Sequence, residues 1–120
     1  MIPLSIGVLI VDDHAEFRRA ARALLNAAGF EVVGEAGTGH EALATAARCS
    51  PDIVLLDVQL PDIDGFAITE SLLDRSDPPL VILTSSRSAS AYRHRLATSR
   101  AAAFIAKRDL SAQSLAALLR

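Results

Sequence analysis

The chain has 120 residues, a length that makes residues 1–120 one domain with room for a buried core. Apolar residues make up 51% and aromatics only 4%, and a net charge of −2 gives no case for a nucleic-acid or membrane-surface binder. The sequence has no apolar run of the roughly 18 residues that a membrane-crossing helix needs, its start lacks a signal peptide's basic residues, and its single cysteine, Cys49, excludes an internal disulfide and fits a reducing cytoplasm.

Ser5 to Val11, SIGVLIV, reads as a buried strand that ends at Asp12 and Asp13. The next stretch places Phe17, Ala21, Leu24, Leu25 and Ala28 at helical spacing, with Arg18, Arg19 and Arg22 off that stripe and Gly29 as the stop. Phe30 to Ala36 is a shorter strand. Thr38 to Glu41 has capping-box form, so Thr38 is expected to cap a second helix and Glu41 to reach back. Ile53 to Leu56 is a short run rich in β-branched residues, bounded by Pro51 and Pro61, as in a strand buried on both faces. It stops at Asp57, and VQLPDIDG follows as a loop. A third helix runs from about Phe66 to Leu73. Leu80 to Leu83 is a fourth strand, followed by Thr84, Ser85 and Ser86. A weaker helix over about Ala89 to Thr98 is anchored by Tyr92 and Leu96. Ala102 to Ala106 is a fifth strand ending at Lys107, and Ser111 can cap a last helix with Leu115, Leu118 and Leu119 on its apolar side.

Five β-α units joined by right-handed crossovers give an α/β fold, a five-stranded parallel sheet with helices on both faces. The carboxyl ends of strands one, three, four and five then share one edge. Asp12, Asp13, Asp57, Thr84 and Lys107 are expected to converge there. Open sheets of this kind place their chemistry at that rim.

Three carboxylates in one pocket repel: two unit charges about 4 Å apart cost about 4 kcal/mol at an effective dielectric of about 20. An all-oxygen site of this kind suits Mg2+. A divalent ion beside a nucleophilic carboxylate, a hydroxyl and an ammonium suits phosphoryl transfer. Each residue alone has a plainer use: an Asp pair can face a helix dipole, a Thr can cap, and a Lys can sit in water.

Charge is unevenly spread. Before Pro78 there are 13 acids and 5 bases; after it Asp109 is the only acid, against Arg87, Arg93, Arg95, Arg100, Lys107, Arg108 and Arg120. The basic segment is a solvated face or a docking face for an acidic partner.

VDDH near the start, LLDVQLPDIDG in the middle, then LTS and FIAK together resemble the receiver domain of bacterial two-component response regulators, over essentially the whole chain. The wording of VDDH and KRDL is most like receivers that precede a helix-turn-helix output domain, and no such output domain is read in these residues. The resemblance implies a doubly wound, flavodoxin-like (βα)5 fold with strand order 2-1-3-4-5. It implies that Asp57 accepts a phosphoryl group from a sensor histidine kinase, and that Asp12, Asp13, Asp57 and the carbonyl of Gln59 hold Mg2+. Lys107 and Thr84 would contact the phosphoryl oxygens. Gln59 and Ser86 would tune the phosphate's lifetime. Thr84 and Phe104 would form a switch relaying the change to the face made by the fourth helix, fifth strand and fifth helix, through which a homodimer could form. Phe104 stands where tyrosine is frequent. A buried Phe leaves no hydroxyl unpaired, a penalty of about 1–3 kcal/mol, so Phe104 is expected to favour an inward rotamer more than Tyr would.

Two departures bear on this. Arg108 follows Lys107 where many relatives have proline, so a trans peptide is expected. The segment SRAAA lacks the family's glycines, and a longer or less ordered turn is expected before the fifth strand. The resemblance implies a cytoplasmic protein, no membrane contact, and DNA binding only through an output domain. Outside self-phosphotransfer and slow autodephosphorylation it implies no enzyme. The alternatives are a phosphatase-like enzyme with an aspartyl-phosphate intermediate and a phosphorylation-silent interaction module.

Overall fold

A computed structural model describes residues 5–118. The strands are β1 (Gly7–Val11), β2 (Glu31–Ala36), β3 (Ile53–Asp57), β4 (Leu80–Ser85) and β5 (Ala103–Ala106). The helices are α1 (Ala15–Ala27), α2 (Gly39–Cys49), α3 (Gly65–Leu73), α4 (Arg93–Thr98) and α5 (Ala112–Ala117). All strand pairs are parallel, in the order β2-β1-β3-β4-β5. The expected fold is therefore the observed one. Leu119, expected on the last helix, lies outside the described residues.

Strand alternation divides the core in two. Leu9, Val11, Val54, Leu56, Val81 and Leu83 pack with Ala42, Phe66, Ile68 and Leu72 from α2 and α3, and with Tyr92. Val8, Ile10, Ile53, Leu55 and Ile82 pack on the other side with Ala21 and Leu25 of α1 and Leu115 of α5. Fully burying one such aliphatic side chain stabilises by about 1.5–3 kcal/mol. The same alternation sends Thr84 to the side of Ile82, and Ser85 and Phe104 to the side of Leu83.

Helix ends follow local chemistry with one correction. Gly29 adopts φ 93° and closes α1 as expected. Thr38 Oγ1 accepts from the Glu41 amide at 3.1 Å, but Glu41 is exposed and does not complete the box. The amides of Gly39 and His40 donate instead to Asp62, at 2.8 and 3.0 Å. A carboxylate from the loop after β3 thus holds the start of α2. Ser111 and Ser114 do form a reciprocal capping box on α5.

The fourth helical segment is split. A 3-10 turn over Ala89–Tyr92 precedes the short α4. The turn into β5 is neither long nor loose. Ala102 donates to Val81 O at 2.8 Å, Ala101 to Ser99 Oγ at 3.1 Å, and Arg100 bridges Glu70 and Asp74 of the α3 segment. Backbone and ion-pair anchors replace the missing glycines. The peptide after Lys107 is trans, as expected.

Candidate functional site

Four of the five sequence-selected groups meet at the carboxyl rim through strand register. Asp12 directly follows β1, and Asp57 ends β3 and pairs with Thr84 on β4. Lys107 directly follows β5. Asp12 and Thr84 are fully buried and Asp57 nearly so. Lys107 Nζ lies 2.6 Å from Asp12 Oδ2 and 3.3 Å from Asp57 Oδ2. Asp13, the fifth, is exposed beside them, and its carboxylate belongs to one cluster with Asp12, His14 and Asp57, whose ligand atoms lie within 4.8 Å of one another.

The electrostatics are those of a pocket one cation short. Two buried carboxylates share a single ammonium. Burial pushes the Asp57 carboxyl up to about 6, with the Asp12 charge adding to it; the Gln59 amide, 3.1 Å from Asp57 Oδ1, and Lys107 act the other way. Burial alone would lower the Lys107 amine, but Asp12 and Asp57 outweigh it and hold it above its ordinary range. Thr84 Oγ1 is buried without a hydrogen-bond partner among the described residues. A buried hydroxyl without a partner is uncommon, and this one stands on the strand position paired with Asp57.

The donor set fits a hard divalent ion: three carboxylates within reach of one point, no sulfur, and one ammonium that leaves net negative charge. Asp12 and Asp57 would hold it from below and Asp13 from the exposed side.

Gly65 makes the loop possible. Its amide donates to Val58 O at 2.7 Å, and a Cβ there would lie 2.5 Å from Asp57 O and 2.8 Å from Val58 Cα. Val58 N in turn donates to Thr84 O at 2.9 Å, so the loop after Asp57 is closed against β4.

The other sequence-selected residues are more dispersed. Gln59 and Ser86 are exposed at the rim. Phe104 is half-buried and pairs with Leu83, on the opposite face of the sheet from Thr84. It touches Tyr92, ring centroids 6.0 Å apart, and Tyr92 in turn touches Phe66 at 5.9 Å.

Three contacts escaped the sequence. His14 Nδ1 stands 3.0 Å from Asp13 Oδ1 and 3.2 Å from Asp12 Oδ1; its place beside the Asp pair was the available signal. The Tyr92 hydroxyl and Ser85 Oγ form a buried hydrogen bond of 2.8 Å. The Phe17 ring lies under Lys107, with Nζ 4.5 Å from its centroid. Ser85 and Tyr92 are close in sequence but sit on different elements, and Phe17 and Lys107 are distant, so neither contact leaves a local pattern.

Comparison with known proteins shows the family and the fold. The family model described as the response regulator receiver domain matches residues 8–120. A Pseudomonas aeruginosa protein named as a transcriptional regulator is 40% identical over 103 residues, covering 85% of this chain and 49% of that one. The chain thus spans about half the length of that relative. The signal receiver domain of the response regulator NarL from Mycobacterium tuberculosis superposes with a TM-score of 0.85 at 30% identity, covering 98% of this chain and 94% of that one. A chain of the CheX-CheY-BeF3-Mg2+ complex from Borrelia burgdorferi superposes with a TM-score of 0.80 at 25% identity, covering 95% of this chain and 86% of that one. No helix among the described residues is long and apolar enough to cross a membrane. This chain belongs to the response regulator receiver domain family.

Proposed function

We propose that the chain is a phosphorylation-dependent switch of a two-component system, in which Asp57 takes a phosphoryl group from the phosphohistidine of a sensor histidine kinase. The observation that carries this reading is the single ammonium of Lys107 serving two buried carboxylates, Asp12 and Asp57. A carboxylate oxygen of Asp57 attacks phosphorus, the P–N bond breaks, and the departing imidazole keeps the electron pair and takes up a proton. Lys107 meets the charge on one phosphoryl oxygen and Thr84 donates to another. Mg2+, held by Asp12, Asp13, Asp57 and the Gln59 carbonyl, would supply further charge neutralisation at those oxygens. Gln59 and Ser86 stand at the mouth, where an attacking water enters, and set the adduct's lifetime.

The readout begins at Thr84. Phosphorylation turns one negative charge into nearly two. Thr84 is drawn to the new oxygens and carries the end of β4 with it. Ser85 is the next residue on that strand, its hydroxyl bonds Tyr92, and Tyr92 lies against Phe104. The signal reaches Phe104 by this route, and so the face built from α4, β5 and α5. Arg93 lies on α4 and Arg108 just after β5, and this basic charge suits an output domain or a second copy with acidic residues; DNA is reached only through such a domain. A phosphatase-like enzyme and a phosphorylation-silent module are set aside because all the acceptor-site groups are present while no second acid stands two residues after Asp57.

The test is incubation with Mg2+ and a small acyl phosphate, followed by intact mass. One phosphoryl adduct forms on the wild type and none on Asp57→Asn. An unmodified wild type, or an adduct that survives the substitution, rejects the proposal.

A further inference from the structure

We infer that Phe17 is a positioning residue for Lys107, holding its ammonium in place by a cation–π contact. The inference rests on the phosphoacceptor reading above, which gives Lys107 its task, and adds a residue to it.

The ammonium of Lys107 has three N–H groups to satisfy. A hydrogen bond to Asp57 Oδ2 at 3.3 Å and an ion pair with Asp12 Oδ2 at 2.6 Å account for the acidic side. The Phe17 ring closes another side, its centroid 4.5 Å from Nζ. Only 18% of the Lys107 side chain is exposed, so the ring stands where water would otherwise solvate the charge. A cation over an aromatic face is held by the ring quadrupole, and more strongly when desolvated. The ring thus offers electron density without a formal charge. A third carboxylate there would bind the ammonium tightly and keep it from a phosphoryl oxygen; an aliphatic side chain would strip its water and return nothing.

The mount of the ring is fixed. Phe17 lies in the first turns of α1, and the next residue, Arg18, grips the same rim. Arg18 Nη1 donates to Asp12 O at 2.6 Å and its Nε to Glu35 Oε1 at 3.0 Å. Arg22, one turn on, donates to Glu35 Oε2 at 2.7 Å. The start of α1 is therefore tied to the end of β1 and to β2, which fixes the backbone that carries the ring. Packing alone would need an apolar side chain at position 17 and no special electronic character.

Ring-fluorinated phenylalanines at position 17 separate the two roles, because they keep the shape of Phe and drain the ring's face of electron density. With saturating Mg2+ and a small acyl phosphate, the rate of adduct formation is expected to fall stepwise with each added fluorine. Phe17→Leu should fall about fivefold and Phe17→Tyr should stay within about twofold of wild type. A flat fluorinated series overturns the inference even if Phe17→Leu is slow, since that pattern is packing. Equal rates in Phe17→Leu and wild type overturn it as well. A second reading needs no phosphorylation. The Lys107 ε-methylene protons are shifted by the ring current in the wild type and move to ordinary positions in Phe17→Leu. A wild type that takes no phosphoryl group yet shows this shift rejects the phosphoacceptor reading and leaves the Phe17–Lys107 contact standing; an absent shift rejects the contact.

Discussion

The two sides of the sheet rim are built to different standards. On one side, β1 and β3 are buried at every residue and flanked by α1 and α2, helices of 13 and 11 residues. On the other, three of the four residues of β5 are only partly buried, and α4 and α5 have six residues each. The carboxylates Asp12, Asp13 and Asp57 stand on the first side. Thr84, Lys107 and Phe104 stand on β4 and β5, the side of the short helices. Short helices gain little on their own and depend on packing at their ends. A fixed acid set needs a stiff frame to hold like charges together, whereas groups that follow a phosphoryl group, as proposed above, would need a frame with little to lose. The acid set thus sits on the more fully buried strands with the longer helices, and Thr84, Lys107 and Phe104 on the side of the shorter ones.

Substitutions test this division, and the stiff side should give the largest response. Gly65→Ala forces a Cβ against Asp57 O and Val58 Cα. It should cost about 3 kcal/mol in urea unfolding, the upper part of the range for overpacking. A loss below about 1 kcal/mol would mean that the acceptor loop yields, and the contrast would fail. Lys107→Met leaves Asp12 and Asp57 facing each other without a cation. It should cost about 3 kcal/mol without divalent ions, the lower end for a buried pair that loses one partner, and added Mg2+ should restore much of it in thermal melts. A variant indifferent to Mg2+ would contradict the reading of the pocket as short of positive charge.

Tyr92→Phe keeps the ring and removes its bond to Ser85 Oγ, which still accepts from the Arg87 amide at 3.1 Å. Global stability should fall by about 1 kcal/mol, and hydrogen exchange should quicken in α4 while β1 and β3 stay protected. Uniform loss of protection would erase the distinction between the sides.

The smallest effect is expected at Glu35. Its carboxyl lies below the ordinary range, chiefly through the hydrogen bond from Arg22, with Arg18 adding and burial opposing. Stability from a lowered carboxylate is complete above its unfolded value and fades as pH falls through the folded one. Glu35→Gln should therefore cost about 0.5 kcal/mol at neutral pH, a partly exposed pair's worth. The gap to wild type should close in acid. A gap that widens on acidification would reverse the sign.

Much of this was legible in the residues. Asp12, Asp57, Thr84 and Lys107 were found because each ends a run of buried apolar residues, and parallel topology makes such ends coincide. The features that escaped were side chains reaching across elements. Tyr92 announced itself as a helix anchor, but nothing in its spacing named Ser85 as partner. Glu41 has the right offset for a capping box, yet it stays exposed, and the neighbouring Gly39 and His40 amides are taken by Asp62, a residue from the loop after β3 that no local pattern points to. The turn at Ser99 to Ala102 was expected to slacken without glycines; Arg100 found two acids on another helix, a gain that no local propensity records. The strand partner of Phe104 is not legible in the residues either: it pairs with Leu83, while Thr84 pairs with Ile105.

Asp62 has one more effect. Its two bonds to the head of α2 hold its carboxyl down at about 2, so it stays ionised over the whole working range of pH. It pins the middle of the strap that runs from Val58 to Gly65. Any outward tug on that strap unseats the carboxylate and bares the amides of Gly39 and His40. The head of α2 is therefore a gauge of the strap: its two amide resonances register movement beside Asp57 without a reporter placed there.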